Sequence, residues 1–300
     1  MNSSPDGLRV PTAEDAAAIA ALFAKRRPLD AGEVRSWFAN PTFDPANDSR
    51  VFERAGGVVG YVDVHAEVDR LSVDWASNYP DVSHALLDWS EERARSQGIA
   101  RLLAHEWPNS EDLGAVLRAR GFTPFRASLE MQVPLDAATA EPVWPDRIEV
   151  RPVRTGEERD VHALLGEAFA EANDFRPTPF EEWAAWWDRG TKRLALWFAA
   201  EADDGELAGV ALCEEERLGT PGLGWVESLA VRRPWRRRGL GKALLLHAFR
   251  ELARLDRTAV GLSVDSENPT GAVRLYESLG MHPVSRRVIY EKRLSAASAF

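Results

Sequence analysis

The chain has 300 residues, 45% hydrophobic and 28% charged, with a formal net charge of −10. That length fits one large or two ordinary domains, and the composition suits a globular protein able to bury real cores. An acidic body argues against general nucleic-acid binding, and no apolar run approaches the roughly twenty residues that span a membrane. In chain order, the start from Met1 to Gly7 lacks the charge-then-apolar layout of a leader. A short strand at Leu8–Val10 and a helix over Ala13–Lys25 come next. Gly60 stands in the apolar run Val58–Tyr61, and a strand–loop–helix pattern fills residues 71–87. A stretch of Pro, Ala and Thr near residues 134–146 then reads as a linker.

The second half begins as the first does, with a strand at Ile148–Val150 and a helix over Gly156–Ala170. The aromatics that follow include Trp183, Trp186 and Trp187, whose i, i+3, i+4 spacing most often marks a core face. Glu181 and Glu182 fit a solvated helix start or an attraction for an amine equally well. The apolar run Ala208–Cys213 predicts a buried strand. Cys213 is the only cysteine, so no internal disulfide forms, and the expected compartment is the cytoplasm. The six histidines are scattered, and no structural metal is expected.

The most informative stretch is residues 226–242. A strand, Val226–Val231, runs into Arg236-Arg237-Arg238-Gly239-Leu240-Gly241-Lys242, and a helix follows with Leu240, Leu244, Ala248 and Leu252 on one stripe. A helix start is a natural anion site because its first N–H groups are unpaired. Glycines let a phosphate approach the backbone, and arginines add charge and forked donors. A pyrophosphate cradle is predicted here. Alternation puts Glu227 on one sheet face with Trp225, Leu229 and Val231. A second apolar run, Val260–Val264, leads through Asp265 and Asn268 to a helix bearing Leu275-Tyr276-Glu277 and ending at Gly280.

These two segments, Arg-x-x-Gly-x-Gly after a strand and then Asn with Leu-Tyr-Glu, resemble the signatures of the GNAT acetyltransferases. The resemblance covers roughly residues 148–294. Residues 71–87 lie without a gap on 229–245, so the chain reads as two copies of one fold. Asn109 falls on Asn268, and Gly121 on Gly280. The first copy is damaged: Asn78, Asp81 and Ser83 stand where the second has Arg236, Gly239 and Gly241, and Leu117 stands for Tyr276. The resemblance implies an α/β (α+β) protein of two tandem GNAT domains, each a mixed, mostly antiparallel sheet flanked by helices. The expected division is a degenerate domain at 1–135, a linker at 136–146 and a catalytic domain at 147–300. Among tandem members, the chain is similar to the mycothiol synthase (mycothiol acetyltransferase) group.

The resemblance implies acetyl transfer from acetyl-CoA to a small-molecule primary amine by direct attack in a ternary complex, in a monomer or homodimer. Leu229, Ala230 and Val231 would pair with the pantetheine arm. Arg236, Arg237, Arg238, Gly239, Leu240, Gly241, Lys242 and Asn268 would hold the rest of the cofactor. Tyr276 occupies the family's general-acid position. Glu227 is the candidate base and Asp265 its reserve. Several family members carry the base two residues earlier, where this chain has Trp225. Mycothiol synthase-type acetylation of a cysteinyl-sugar amine, protein N-terminal acetylation and acetyl-CoA sensing remain alternatives.

Overall fold

The structure is a computed structural model. It describes the chain apart from residues 1–5, 25–28, 40–42, 68, 107–110, 136–139, 173, 188–193, 218–219 and 296–300. Lys25 and Asn109 of the sequence reading therefore lie outside the described residues. The strands are β1 (Gly7–Arg9), β2 (Ser49–Arg54), β3 (Gly57–Glu67), β4 (Arg70–Ser77), β5 (Arg101–Glu106), β6 (Thr123–Pro134), β7 (Ile148–Pro152), β8 (Trp197–Ala202), β9 (Leu207–Glu214), β10 (Leu223–Val231), β11 (Ala259–Asp265) and β12 (His282–Arg293). The helices are α1 (Ala16–Phe23), α2 (Ala31–Phe38), α3 (Pro45–Asp48), α4 (Pro80–Ser96), α5 (Glu111–Ala119), α6 (Glu158–Phe169), α7 (Phe180–Trp187), α8 (Leu240–Ala253) and α9 (Ala272–Glu277).

The chain folds into two compact units, Met1–Ser128 with Arg286–Phe300, and Leu129–Ser285. The strand order is β1-β2-β3-β4-β5-β12 in the first and β6-β11-β10-β9-β8-β7 in the second. Each half of the sequence thus gives its last strand to the other unit, which a cut between residues 135 and 147 does not capture. In both units the sheet is mostly antiparallel with one parallel pair, β4/β5 or β10/β11. Helices cover both faces. In the second unit, Leu240, Leu244, Leu245, Ala248 and Leu252 of α8 pack on one face with Met131 of β6. Val161, Leu164 and Leu165 of α6 pack on the other with Trp187 and Trp197. A buried aliphatic side chain contributes about 1.5–3 kcal/mol, so these two layers hold the sheet in place from both faces.

The repeat recurs in three dimensions. A Cβ on Gly60 would meet Val82 of α4 at 2.5 Å and Leu86 at 3.1 Å; one on Gly209 would meet the Ala230 carbonyl oxygen at 2.9 Å and Leu244 of α8 at 3.2 Å. Both glycines let the helix after the parallel strand sit close on the sheet. Arg9 joins Asp15 to Glu53 of β2, and Arg151 joins Glu157 to Glu201 of β8. Each arginine ties its edge strand, β1 or β7, to the following helix start and to the neighbouring strand.

The Arg151 knot sets a pH dependence. Burial pushes the Glu157 carboxyl up, but the bonds from Arg151 and the Arg154 backbone outweigh it and hold the group below its ordinary range. A carboxylate depressed in the folded chain adds stability that is complete above its unfolded pKa and is lost as pH falls through the folded one. Arg151→Ala should cost about 2 kcal/mol at neutral pH by leaving Glu157 and Glu201 with only their longer contacts to the more exposed Arg154, at 3.4 and 3.5 Å. Urea unfolding of both proteins at pH 7 and pH 3 should show that difference narrowing in acid.

Candidate active site

The loop after β10 is built as the sequence suggests. A short turn at Arg233–Trp235 and a left-handed Gly239 (φ +88°) lead into α8. The first helical bond is from Ala243 N–H to the Gly239 carbonyl at 3.0 Å, so the N–H groups of Leu240, Gly241 and Lys242 have no acceptor inside the helix. This run of donors, at the positive end of a helix dipole, is a ready anion cradle. Nothing lies within 4 Å of a Cβ built on Gly239, and the nearest atom to one on Gly241 is Leu275 Cδ2 at 3.5 Å. The cradle therefore fits a pyrophosphate. Arg237 and Lys242 are exposed and make no ion pair with a described residue. The Arg238 guanidinium lies 5.1 Å from the Trp235 ring centroid.

Arg236 differs from its expected role as a phosphate-binding side chain. Its guanidinium donates to the Val231 carbonyl (3.0 Å), the Ala168 carbonyl (3.0 Å) and Glu171 (2.7 Å), and its N–H to the Arg233 carbonyl. It ties the loop to the end of α6. An arginine that satisfies buried carbonyls has little left for a ligand, and its contribution is to hold the cradle in shape.

Beside the cradle the sheet opens. β10 and β11 are paired in parallel only from Leu223↔Ala259 to Val226↔Leu262, and then part. Leu229, Ala230 and Val231 stay paired to β9, and their other edge faces the gap. The divergence coincides with a bulge: Val226 pairs with Cys213 and Ser228 with Leu212, which leaves Glu227 as the extra residue. A bulge shifts the alternation by one. This corrects the expected shared face. Val226, Leu229 and Val231 belong to the α8 side, while Ala230 belongs to the α6 side. Glu227 is exposed and accepts a hydrogen bond from Trp225 Nε1 at 2.9 Å. It keeps Trp225 for company but not Leu229.

Tyr276 sits on α9, 7% exposed and packed in the α8-side core; burial pushes its hydroxyl up to about 12. It makes no hydrogen bond to a described residue. The Asn268 side chain accepts from the Thr270 N–H at 2.9 Å and orders the turn before α9. Asp265 accepts the Glu267 N–H at 2.8 Å, so the reserve base is engaged in its own loop. Cys213 is buried in β9, and burial pushes its thiol up, which suits a packing residue. Trp183, Trp187 and Trp197 pack edge-to-face or tilted against one another, with ring centroids 4.7–6.3 Å apart, as a core face. The side chain of Trp186 lies outside the described part. Among the described residues no His, Cys, Asp or Glu cluster could hold a metal ion, and no helix is long and apolar enough to cross a membrane.

A model of the Acetyltransferase (GNAT) family matches residues 159–281. Two curated relatives carry the name mycothiol acetyltransferase. The one from Acidothermus cellulolyticus is 32% identical over 218 residues, 66% of this chain and 64% of the relative. The one from Salinispora arenicola is 32% identical over 224 residues, 66% of this chain and 69% of the relative. The match thus spans slightly less than two thirds of the Acidothermus protein's length. The chain belongs to the GNAT acetyltransferase family. Solved structures agree. A GCN5-related N-acetyltransferase from Sphaerobacter thermophilus has a TM-score of 0.80 at 29% identity, covering 98% of this chain and 97% of that one. A tandem GNAT protein from the clavulanic acid biosynthesis pathway has a TM-score of 0.71 at 19% identity, covering 96% of each, and speaks for the fold.

The first unit keeps the GNAT seam and closes the cradle. β4 and β5 pair only from Leu71↔Leu102 to Val73↔Ala104. At the start of α4, however, Pro80 removes a donor and Asp81 brings its own anion. The Arg54 guanidinium and the N–H groups of Asp81 and Val82 hold that carboxyl below its ordinary range. Leu117, at the place matching Tyr276, is packed in the core. These features motivate a prediction that one acetyl-CoA binds per chain. Gly239→Asp should reduce its affinity at least tenfold more than Gly239→Asn, which tolerates the same left-handed backbone without the charge. Isothermal titration of both variants tests this; equal losses would make the effect one of shape.

Proposed function

We propose that the chain is an N-acetyltransferase that moves an acetyl group from acetyl-CoA to the primary amine of a small molecule, by direct attack while both are bound. The observation that carries this reading is the open anion cradle of α8 beside the parted strands β10 and β11. The thioester supplies an activated acyl group when bound. Residues 237–242 would hold the pyrophosphate, and the free edge of Leu229–Val231 would align the amides of the arm. Side chains of α9, β10 and α8 converge there: a Cβ on Gly241 would lie 3.5 Å from Leu275, 3.7 Å from Val231 and 4.0 Å from Leu229. Tyr276, on the same short helix as Leu275, would give its proton to the departing sulfur. Glu227, exposed at the bulge, is the carboxylate of β10 that an arriving ammonium meets.

The relatives named mycothiol acetyltransferase favour a second, narrower reading, in which the acceptor is a cysteinyl-sugar amine. Release of free CoA thiol from acetyl-CoA, with simple amines, aminosugars, a cysteinyl-sugar amine and short peptides as acceptors, separates these readings. Small amines should turn over and peptides should not. Binding of acetyl-CoA without turnover of any amine would make the chain a sensor. With an accepted amine, Tyr276→Phe should lower kcat by about 10²-fold while leaving acetyl-CoA affinity unchanged, since only the phenolic proton is lost.

A further inference from the structure

Glu214 is a carboxylate that motif reading passes over. It ends β9 directly across the ladder from Trp225, where cross-strand side chains stand about 5 Å apart. Trp225 is buried, and its ring fills the space over Gly261 of β11: a Cβ there would meet it at 2.7 Å. The Arg217 guanidinium lies 4.0 Å from the same ring centroid, and the Arg217 N–H is fixed to the Leu223 carbonyl at 2.6 Å. Trp225 also donates to Glu227 at 2.9 Å. One indole thus organises two carboxylates and a guanidinium beside the place where β10 leaves β11.

We propose that Glu214 is the group that takes the proton of the acceptor ammonium, while Glu227 docks it. This rests on the acetyl-transfer reading of the site. The two carboxylates differ in kind. Glu227 is exposed at the bulge and accepts the indole hydrogen bond, so it stands where an arriving ammonium meets it first. Glu214 is half-buried beside it; burial first, and then the Glu227 charge, push its carboxyl up, while Arg217 opposes them. Glu216, two residues on, is bonded to Arg257 and the Gly222 N–H. A like-charged pair in one partly buried place holds a proton more readily than either member alone. It is therefore a site for a cationic primary amine.

The step balances. Glu214 takes one proton from R–NH₃⁺. The freed nitrogen forms its bond to the thioester carbonyl carbon, and the carbon–sulfur bond breaks as Tyr276 protonates the thiolate. The second proton leaves nitrogen and restores the phenol, giving the amide and CoA. Glu214 then releases its proton to solvent.

Two measurements on the full chain test this. In the first, glutamate δ-carbons are labelled with ¹³C and titrated by NMR. A signal lost in Glu214→Gln should have the highest midpoint of the resolved glutamates and should fall by about one pH unit in Glu227→Gln. An ordinary midpoint, unmoved by Glu227→Gln, overturns the pairing and with it the proposal, whether or not any amine turns over. In the second, with an amine accepted in the thiol-release screen, Glu214→Gln should lower kcat about 10²-fold and flatten the acid limb of the pH profile. Glu227→Gln should instead raise the amine KM about tenfold and retain that limb, displaced about one pH unit to the acid side. Loss of the limb in Glu227→Gln alone makes Glu227 the base and overturns the assignment. Acetyl-CoA affinity, read by calorimetry, should be unchanged in both variants. If the chain binds no acetyl-CoA at all, the acetyl-transfer reading fails instead, and the NMR titration still decides the pair.

Discussion

The parting of β10 from β11 is the constraint on which the candidate site depends. Four paired positions hold these strands together, and at the next residue β10 bulges. A bulge adds twist and bends the strand that carries it. Beyond it, the N–H and C=O groups of Leu229–Val231 on that edge have no strand to pair with. Leaving such groups dry is costly, so the edge calls for a polar, extended occupant. The cradle of α8 begins within a few residues of that edge. Arg236, which anchors the intervening loop to α6, fixes how the two are spaced. A ligand with an anion at one end and an amide-bearing arm at the other meets both requirements at once.

The same parting occurs between β4 and β5, where nothing suggests catalysis. The seam is therefore a property of the fold, and the chemistry is decided by what is grafted beside it. In the first unit Asp81 is an anion made by the protein itself, set at the start of α4 and matched by Arg54. That arrangement satisfies the helix N-terminus without a ligand. In the second unit Gly239 leaves the corresponding donors open. The strand exchange gives the first half a reason to persist. Met131 of β6 lies in the core beneath α8, and Tyr290 of β12 is buried in the first unit, bonded to Glu106 and Arg118. Neither half of the sequence contains a whole sheet.

Local features were legible in the sequence and cross-chain ones were not. The helix starting at Leu240, its buried stripe and the end of α9 at a left-handed Gly280 all rest on residues close in sequence, and the structure bears them out. Glu227 was placed on the wrong face with Leu229 because alternation assumes an unbroken ladder, and no residue type announces the bulge. Arg236 looked like a ligand residue because its composition fits one; its partners, Ala168 and Glu171, lie more than sixty positions away. Glu214 was missed for the same reason. Its importance comes from facing Trp225 across a strand pair. The exchange of β6 and β12 is invisible to pattern, since a strand's alternation says which face it buries but not which sheet it joins.

The buried tyrosines show how function departs from packing rules. Tyr61 gives its hydroxyl to Asp63 at 3.0 Å, and Tyr290 gives its own to Glu106 at 2.8 Å while receiving Arg118. Each obeys the rule that a buried hydroxyl finds a partner. Tyr276 is 7% exposed, against 0% for Tyr61 and 2% for Tyr290, and no described residue bonds its oxygen. Burial favours the protonated phenol, which is the state an acid must be in before it acts. Its place on α9 beside Leu275, a hydroxyl bonded to no described residue and that raised pKa are the three features on which the proposed acid role of Tyr276 rests.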